Sequence, residues 1–333
     1  MPSQFLGPNN PFLPWVRMSQ LVAEIGFFSS TFFGVIFMML TLLGMKKRFG
    51  SYAYLLVTFS SFGIIFASVE FMVYPNVHSY NAGYLFYSTS RPFNFGKEAV
   101  TLCITVYTGV YASTISMLSL QFIYRYWAIF HHEKLRLFEG WWVLMWAVYC
   151  SYFGVQWALG IYFLDMADEF TTEYLKGPIK ENYNLEIEDL AGVAVLMYAS
   201  DGSLRIRNFL GLVNMSSIMS VQYIVIIYCA IMMYANMEEK LELVSSSKKR
   251  LHNQLFKTLV LQIITPSFCL FLPVLAIISL PLLDLKINLP TGVFICAITI
   301  YPAMDAIICM TVVTDYRNVT KSRVSEKDGR QID

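Results

Sequence analysis

Charge is withheld from this chain in seven long runs. Residues 25–45, 49–69, 99–124, 140–164, 208–237 and 258–283 carry no charged side chain, and 287–314 carries only Asp305. A hydrocarbon core about 30 Å thick needs about 20 apolar residues as a helix, so each run is long enough for one crossing. Lipid admits only helices and closed barrels. Barrel strands alternate over about 10 residues, and these runs are longer and evenly apolar. The pattern therefore predicts an all-α membrane protein, a seven-transmembrane helix bundle with its termini on opposite sides. Residues 1–17 are expected as an outer N-terminal segment and 18–316 as the bundle. An outer loop at 165–207, an inner loop at 238–256 and an inner tail at 317–333 complete the chain.

Composition agrees with a membrane setting. The chain is 56% hydrophobic and only 14% charged, far from the roughly 25% charged residues of soluble domains. A net charge of +1 gives no reason to expect nucleic acid. Sixteen of the 24 Lys and Arg fall on one side of the bundle if the loop after the first span is cytoplasmic. Basic residues near span ends favour the cytoplasm, which sets the N-terminus outside. Residues 1–15 lack a basic n-region and contain Pro2, Pro8, Pro11 and Pro14, so the first span is expected to serve as its own insertion signal. All six cysteines fall inside expected spans, which reads as packing rather than a disulfide framework. Of the two glycosylation sequons, Asn214 lies in the fifth span and Asn318 in the inner tail, so neither is expected to carry sugar. The outer loop is acidic, and its apolar run 193–199 is either a strand or lid over the outer mouth or a patch on a solvated loop.

Within the bundle, Gly26, Ser30 and Gly34 form a small-residue row suited to close helix packing. The third span carries two stripes. Thr101, Thr105, Thr108, Ala112, Ser116 and Ser119 read as a tight seam. Tyr107, Tyr111, Thr114, Leu118, Gln121 and Arg125 lie well round the helix and are the candidate interior face. Pro266 and Pro273 each remove a donor and crowd the preceding turn, so the sixth span should kink, as fixed shape or as a hinge. No inverted half-repeat of the transporter kind is visible.

Charged groups in a membrane are expensive and tend to be functional. Glu24 and Glu70 sit near outer span ends; Glu24 should reach water, and Glu70 either snorkels or lines an outer cavity as an acceptor. Asp305, four residues after Tyr301 and three after Pro302, is placed in an interior polar network. Arg125, between Tyr124 and Tyr126 at the inner mouth, is either an interfacial anchor or a signalling residue. Catalytic patterns are missing, and neither a metal site nor a cofactor is expected: His131 and His132 lack a carboxylate or cysteine partner, and His78 and His252 are isolated.

Several segments, in order and spacing, carry a resemblance. They are Gly50-Ser51-Tyr52-Ala53-Tyr54-Leu55 entering the second span and Glu70-Phe71 with Pro75 and His78 leaving it. Then come Phe122-Ile123-Tyr124-Arg125-Tyr126, Gln254-Leu255-Phe256-Lys257 through Gln262 to Pro266, and Tyr301-Pro302 with Asp305 before Asp315-Tyr316-Arg317. Over most of its length the chain resembles the Str-type serpentine chemoreceptors of nematodes, the family that includes the diacetyl odorant receptor. The resemblance implies a GPCR-like olfactory receptor in the plasma membrane of sensory-neuron cilia, with a small odorant or soluble chemical as ligand and a heterotrimeric G protein as partner. Association of receptors into oligomers is left open.

On that reading a ligand occupies a cavity among spans 2, 3, 5, 6 and 7, with Tyr107, Tyr111 and Thr114 as lining and Glu70 as an outsider. The sixth span, hinged at Pro266 and Pro273, swings its inner end outward. The crevice edged by Arg125, Lys257, Lys248, Lys249 and Arg250 then receives the G protein. Two departures are visible: Tyr124 stands where rhodopsin-like receptors carry an acid before the arginine, and no outer-loop cysteine can pair with Cys103. Ala306 also replaces a second proline expected in the seventh span. The rival classes are an odorant-gated channel of inverted topology, opposed by the charge count, and a small-solute transporter, opposed by the scarcity of intramembrane charge.

Overall fold

The computed structural model describes residues 11–45, 50–241, 260–312 and Tyr316, without the side chains of Met45 and 237–241. Among the described residues, seven helices are long and apolar enough to cross a membrane: Leu13–Gly44, Ser51–Val73, Lys97–Phe130, Gly140–Leu164, Ile206–Asn236, Val260–Leu283 and Val293–Val312. They are called the first to seventh spans. Most outrun their uncharged cores, because a helix continues through the interface once it has left hydrocarbon. The first begins at Leu13, inside the segment expected as an N-terminal tail; Pro14 in its first turn suits a helix start, where its missing N–H would go unused anyway. The fifth helix likewise runs on to Leu241, into the expected inner loop. Lys248, Lys249, Arg250 and Lys257 lie outside the described residues.

The third span is the axis of the bundle and its most buried helix, packed on the second, fourth and fifth. Its closest approach is to the fourth span, where a Cβ on Gly109 would stand 2.8 Å from the Gly154 carbonyl oxygen. The expected small-residue stripe does not make this seam. Thr101 accepts a backbone N–H from Gly192 at 3.0 Å, Thr108 faces a cavity, and Ser119 donates to Gln222 of the fifth span at 2.7 Å. The stripe meets the sheet, a cavity and the fifth span in turn rather than one neighbour. The row Gly26, Ser30 and Gly34 is buried, with Gly26 against Thr299 of the seventh span and Gly34 against the second.

The outer end of the bundle, as the charge pattern sets it, is closed by a four-stranded antiparallel sheet of order β3-β2-β1-β4. A hairpin between the second and third spans supplies β1, Asn76–Tyr80, and β2, Gly83–Ser88. Asn81 turns the corner at φ 46°, a left-handed conformation that asparagine tolerates. The outer loop gives β3, Ala191–Leu196, confirming a strand within the apolar run, and the two-residue β4, Asn288–Leu289, precedes the seventh span. Alternation along β2 puts Tyr84 and Phe86 against the bundle and Leu85 and Tyr87 against a second small core. That core is covered by a helix in the outer loop, Glu169–Tyr183, which contributes Leu175, Ile179 and Tyr183. Asp168 caps it through a Thr171 capping box and pairs with Arg205, so the two ends of the loop are tied together.

Candidate functional site

Beneath the sheet lies an apolar cavity of about 70 Å³. Its roof is Val77, Tyr84, Phe86 and Val193 from the sheet, and its floor and walls include Tyr107, Thr108 and Tyr111 of the third span. Trp157 and Ile161 of the fourth span, Met215 of the fifth, Ile277 and Ile278 of the sixth and Ile298 of the seventh close it. Tyr107 and Tyr111 are where the helical stripe placed them. The Tyr111 hydroxyl donates to the Leu270 carbonyl at 3.1 Å, whereas the Tyr107 hydroxyl has no hydrogen-bond partner among the described residues. Phe66 of the second span stacks on Tyr107 at 4.9 Å.

Three expectations about this cavity change. The second span contributes no wall, because Phe66 backs Tyr107 from outside; the fourth span and the sheet take its place. Thr114 lies deeper, beside a narrow void with Asp305, Tyr301 and Pro302, two turns away from Tyr107 along its helix. Glu70 neither snorkels nor lines the cavity. It is 2% exposed and accepts from the Thr299 hydroxyl between the second and seventh spans, and its other oxygen has no partner among the described residues. It remains in the electrostatic field of Tyr107. Glu24 is exposed, as its position at the outer end implied.

The lid has its own polar interior. His78 is fully buried, with Nδ1 3.1 Å from the Tyr183 hydroxyl and Phe12 packed on its ring. Burial pushes its pKa down from 6.5 to about 4, so it is neutral. Asp165, at the end of the fourth span, is pushed up to about 7 by burial, against the opposing pull of an Asn208 hydrogen bond and the Arg207 charge.

The inner half of the bundle holds a second constellation, centred on Arg125. Its Nε donates to the Tyr52 hydroxyl of the second span at 2.5 Å, and its Nη1 donates to Gln262 Oε1 of the sixth. Gln262 in turn reaches Cys309 Sγ of the seventh at 3.1 Å. The Tyr52 ring, 5.5 Å from the guanidinium, is stacked at 4.8 Å on Tyr124. Arg125 is therefore an interior group rather than an interfacial anchor, and Tyr124 supports it through Tyr52. Tyr126 points elsewhere, towards His131 and Tyr228. Asp305 is buried within the field of Arg125, but no ion pair joins them among the described residues. Tyr52 and Gln262 were missed as site residues. The signal available was their inclusion in the segments carrying the resemblance, since a lone tyrosine or glutamine in an apolar run otherwise looks like packing.

Both prolines of the sixth span distort it. After Pro266 the helix opens into a π-helical turn, Ser267–Phe271, and regular α-helix resumes at Leu272 with Pro273 in its first turn. The turn offers the Leu270 carbonyl to Tyr111.

Seven spans, capped by a sheet at one end and crossed by the Arg125 hydrogen bonds at the other, describe a multi-pass membrane protein. The chain belongs to the family described as serpentine type 7TM GPCR chemoreceptor Str, which matches residues 19–321. It is similar to G-protein coupled receptor str-33 of Caenorhabditis elegans, 30% identical over 95% of this chain and 94% of that protein. Serpentine receptor class r-10 of the same species is 29% identical, over 81% of this chain and 80% of its own length. The Caenorhabditis briggsae protein of that name is 26% identical, over 91% and 89%. The chain is thus a multi-pass membrane protein of a chemosensory receptor family, and these relatives are named as receptors rather than enzymes.

Proposed function

We propose that this receptor holds a small odorant in the cavity beneath the sheet and signals through a heterotrimeric G protein at its inner face, in the ciliary membrane of sensory neurons. The observation that carries the reading is the pairing of an apolar cavity beneath the sheet with an arginine bound to both the second and sixth spans. Binding pockets are mostly apolar with a few placed polar groups, and Tyr107 and Tyr111 supply those here. For scale, a buried apolar cavity of about 150 Å³ admits benzene. A cavity of about 70 Å³ must therefore widen to take a molecule of that size.

Arg125 joined to Tyr52 and Gln262 keeps the inner ends of the second, third and sixth spans together. It does the work that an acid–arginine pair does elsewhere, without an acid. Ligand binding shifts this equilibrium only by its preference for the open form. A full swing from 1:99 to 99:1 needs about 5.5 kcal/mol of preference, so a small odorant gives partial shifts and the G protein captures the open state.

The test is expression of the receptor with a G-protein readout during a screen of volatile and water-soluble compounds, alongside Arg125→Ala. The expected result is a ligand-dependent response that Arg125→Ala abolishes at unchanged surface expression. Robust signalling from Arg125→Ala refutes its role. Ligand-evoked current in cells stripped of G-protein function, or concentrative uptake of a labelled solute, refutes the receptor reading itself.

A further inference from the structure

The cavity has a roof but also a thin side wall. Every residue of β2 is buried, and the lid is tied to the span ends by the Thr101 and Asp165 contacts. The sheet and its covering helix therefore stand between the cavity and the outer end of the bundle. On the flank of the bundle, between the fifth and sixth spans, a cleft of about 410 Å³ opens where the π-helical turn displaces the sixth span. Ser216, Ser220 and Tyr223 line one side and Ser267, Phe271 and Leu275 the other, while Phe268 and Leu272 stand exposed at its lip.

Depth identifies what fills it. Ser216 and Tyr223 lie about 15 and 25 Å along the helix from Ile206, at 1.5 Å per residue, which places the cleft in the hydrocarbon rather than at the headgroups. Its polar groups are neutral hydroxyls, and Tyr223 and Ser267 are in mutual contact at 3.1 Å. Among the described residues, no charged side chain lines it. Charged headgroups and ions are therefore poor occupants, and a neutral amphiphile dissolved in the bilayer, with one hydroxyl or carbonyl, is complementary. The cleft also backs directly on the cavity. Met215 faces the cavity and Met219, one turn on, faces the cleft. Leu270, whose carbonyl holds Tyr111, is followed by Phe271 in the cleft wall.

We propose that this cleft is a membrane-side binding site for neutral, lipid-soluble alcohols and ketones, and the door through which they reach the cavity. The door role rests on the cavity being the ligand site. Methionine side chains and the π-helical turn form the door, since both rearrange without breaking a regular helix.

The experiment uses the full-length receptor in lipid nanodiscs and a diazirine-bearing octanol as photoreactive probe, with adducts mapped by mass spectrometry. The wild-type protein should label at cleft residues and at cavity residues such as Met215. Ser267→Phe, which fills the cleft, should reduce both at least tenfold. Leu275→Trp, which fills it without touching the Tyr223–Ser267 pair, gives the same result if Ser267→Phe fails to fold. Cavity labelling that survives a filled cleft overturns the door and leaves the cavity reading intact. Cleft labelling with an unlabelled cavity in the wild type overturns the door and leaves the cleft site standing, and the cavity reading is decided separately by the Met215→Trp ligand response. An unlabelled cleft overturns the site.

Discussion

Replacing Tyr52 by Phe should turn the receptor on without ligand. The substitution deletes one hydroxyl. The ring keeps its stack on Tyr124 and its place 5.5 Å from the guanidinium, so packing is preserved. What is lost is the Arg125 Nε bond to the Tyr52 oxygen. A hydrogen bond involving a charged group contributes about 1.5–3 kcal/mol net, and about 1.4 kcal/mol is a factor of 10 in an equilibrium constant. If the bond exists only in the closed form, Tyr52→Phe raises the open-to-closed ratio by roughly 10- to 100-fold. A receptor open about 1% of the time would become open about 10–50% of the time. Gln262→Leu removes the partner on the sixth span and should act in the same direction. The two substitutions share Arg125, so their effects should not add. Arg125→Ala breaks the same bonds yet is expected to silence the receptor, because on the proposed reading the arginine also engages the G protein. The assay is ligand-free nucleotide exchange on the G protein, normalised to surface receptor. Basal exchange in Tyr52→Phe equal to wild type, at equal surface density, would refute the latch.

Three further outcomes follow from the outer half. Met215→Trp should fill the cavity and abolish the ligand response while surface expression, read by an outer epitope tag, is retained. Gly154→Leu should fail to reach the surface: its Cβ would stand 2.1 Å from Ser113 Oγ and 2.9 Å from the Gly109 carbonyl, and overpacking on a backbone contact costs 1–3 kcal/mol or more. The lid should also titrate in two opposed ways, measured as differences in thermal midpoint from wild type in nanodiscs between pH 4 and 7.5. His78 has a depressed value near 4, so its neutral burial is fully tolerated above about pH 6.5 and is progressively penalised as pH falls towards 4, by on the order of 3 kcal/mol. His78→Leu should therefore gain on wild type as pH falls through that window. Asp165 has a raised value near 7, so its contribution is intact below about pH 4 and is lost as pH rises through 7. Asp165→Asn should gain on wild type as pH rises. Parallel pH curves for wild type and both variants would sink the assignment.

The seven spans could be read from the chain because hydrocarbon imposes one rule on every residue it touches. The sheet could not be read the same way. It lies between spans, where charge-free length carries no signal, and its strands come from three separate connections. The hairpin has a weak local signature: Val77-His78-Ser79-Tyr80 and Tyr84-Leu85-Phe86-Tyr87, rich in aromatic residues, flank an Asn-Ala-Gly corner. The outer-loop helix was hidden by Gly177-Pro178, which ordinarily breaks a helix; the capping box at Asp168 and the packing of Leu175, Ile179 and Tyr183 outweigh it. In the third span, periodicity placed Tyr107, Tyr111 and Arg125 on one interior stripe. It could not say that Thr114 belongs to a different void, because depth along a helix is invisible to the angle around it.

The two constellations are joined by the same pair of helices. Tyr111 and Arg125 both belong to the third span, and each bonds the sixth: Tyr111 to the Leu270 carbonyl on the cavity side, Arg125 to Gln262 on the inner side. Leu270 and Gln262 are separated by eight residues, about 12 Å of helix at 1.5 Å per residue. Pro266 lies midway between them, and the π-helical turn starts directly after it. A regular helix would make the two contacts move as one rigid rod. With its hydrogen-bond ladder interrupted between them, the sixth span can release Gln262 while its outer half stays seated on the cavity, or can transmit a shift of Leu270 as a change of bend. On the proposed reading, a ligand pressing on Tyr111 acts on the inner latch through the angle at the proline, and the fixed reference for that angle is the third span.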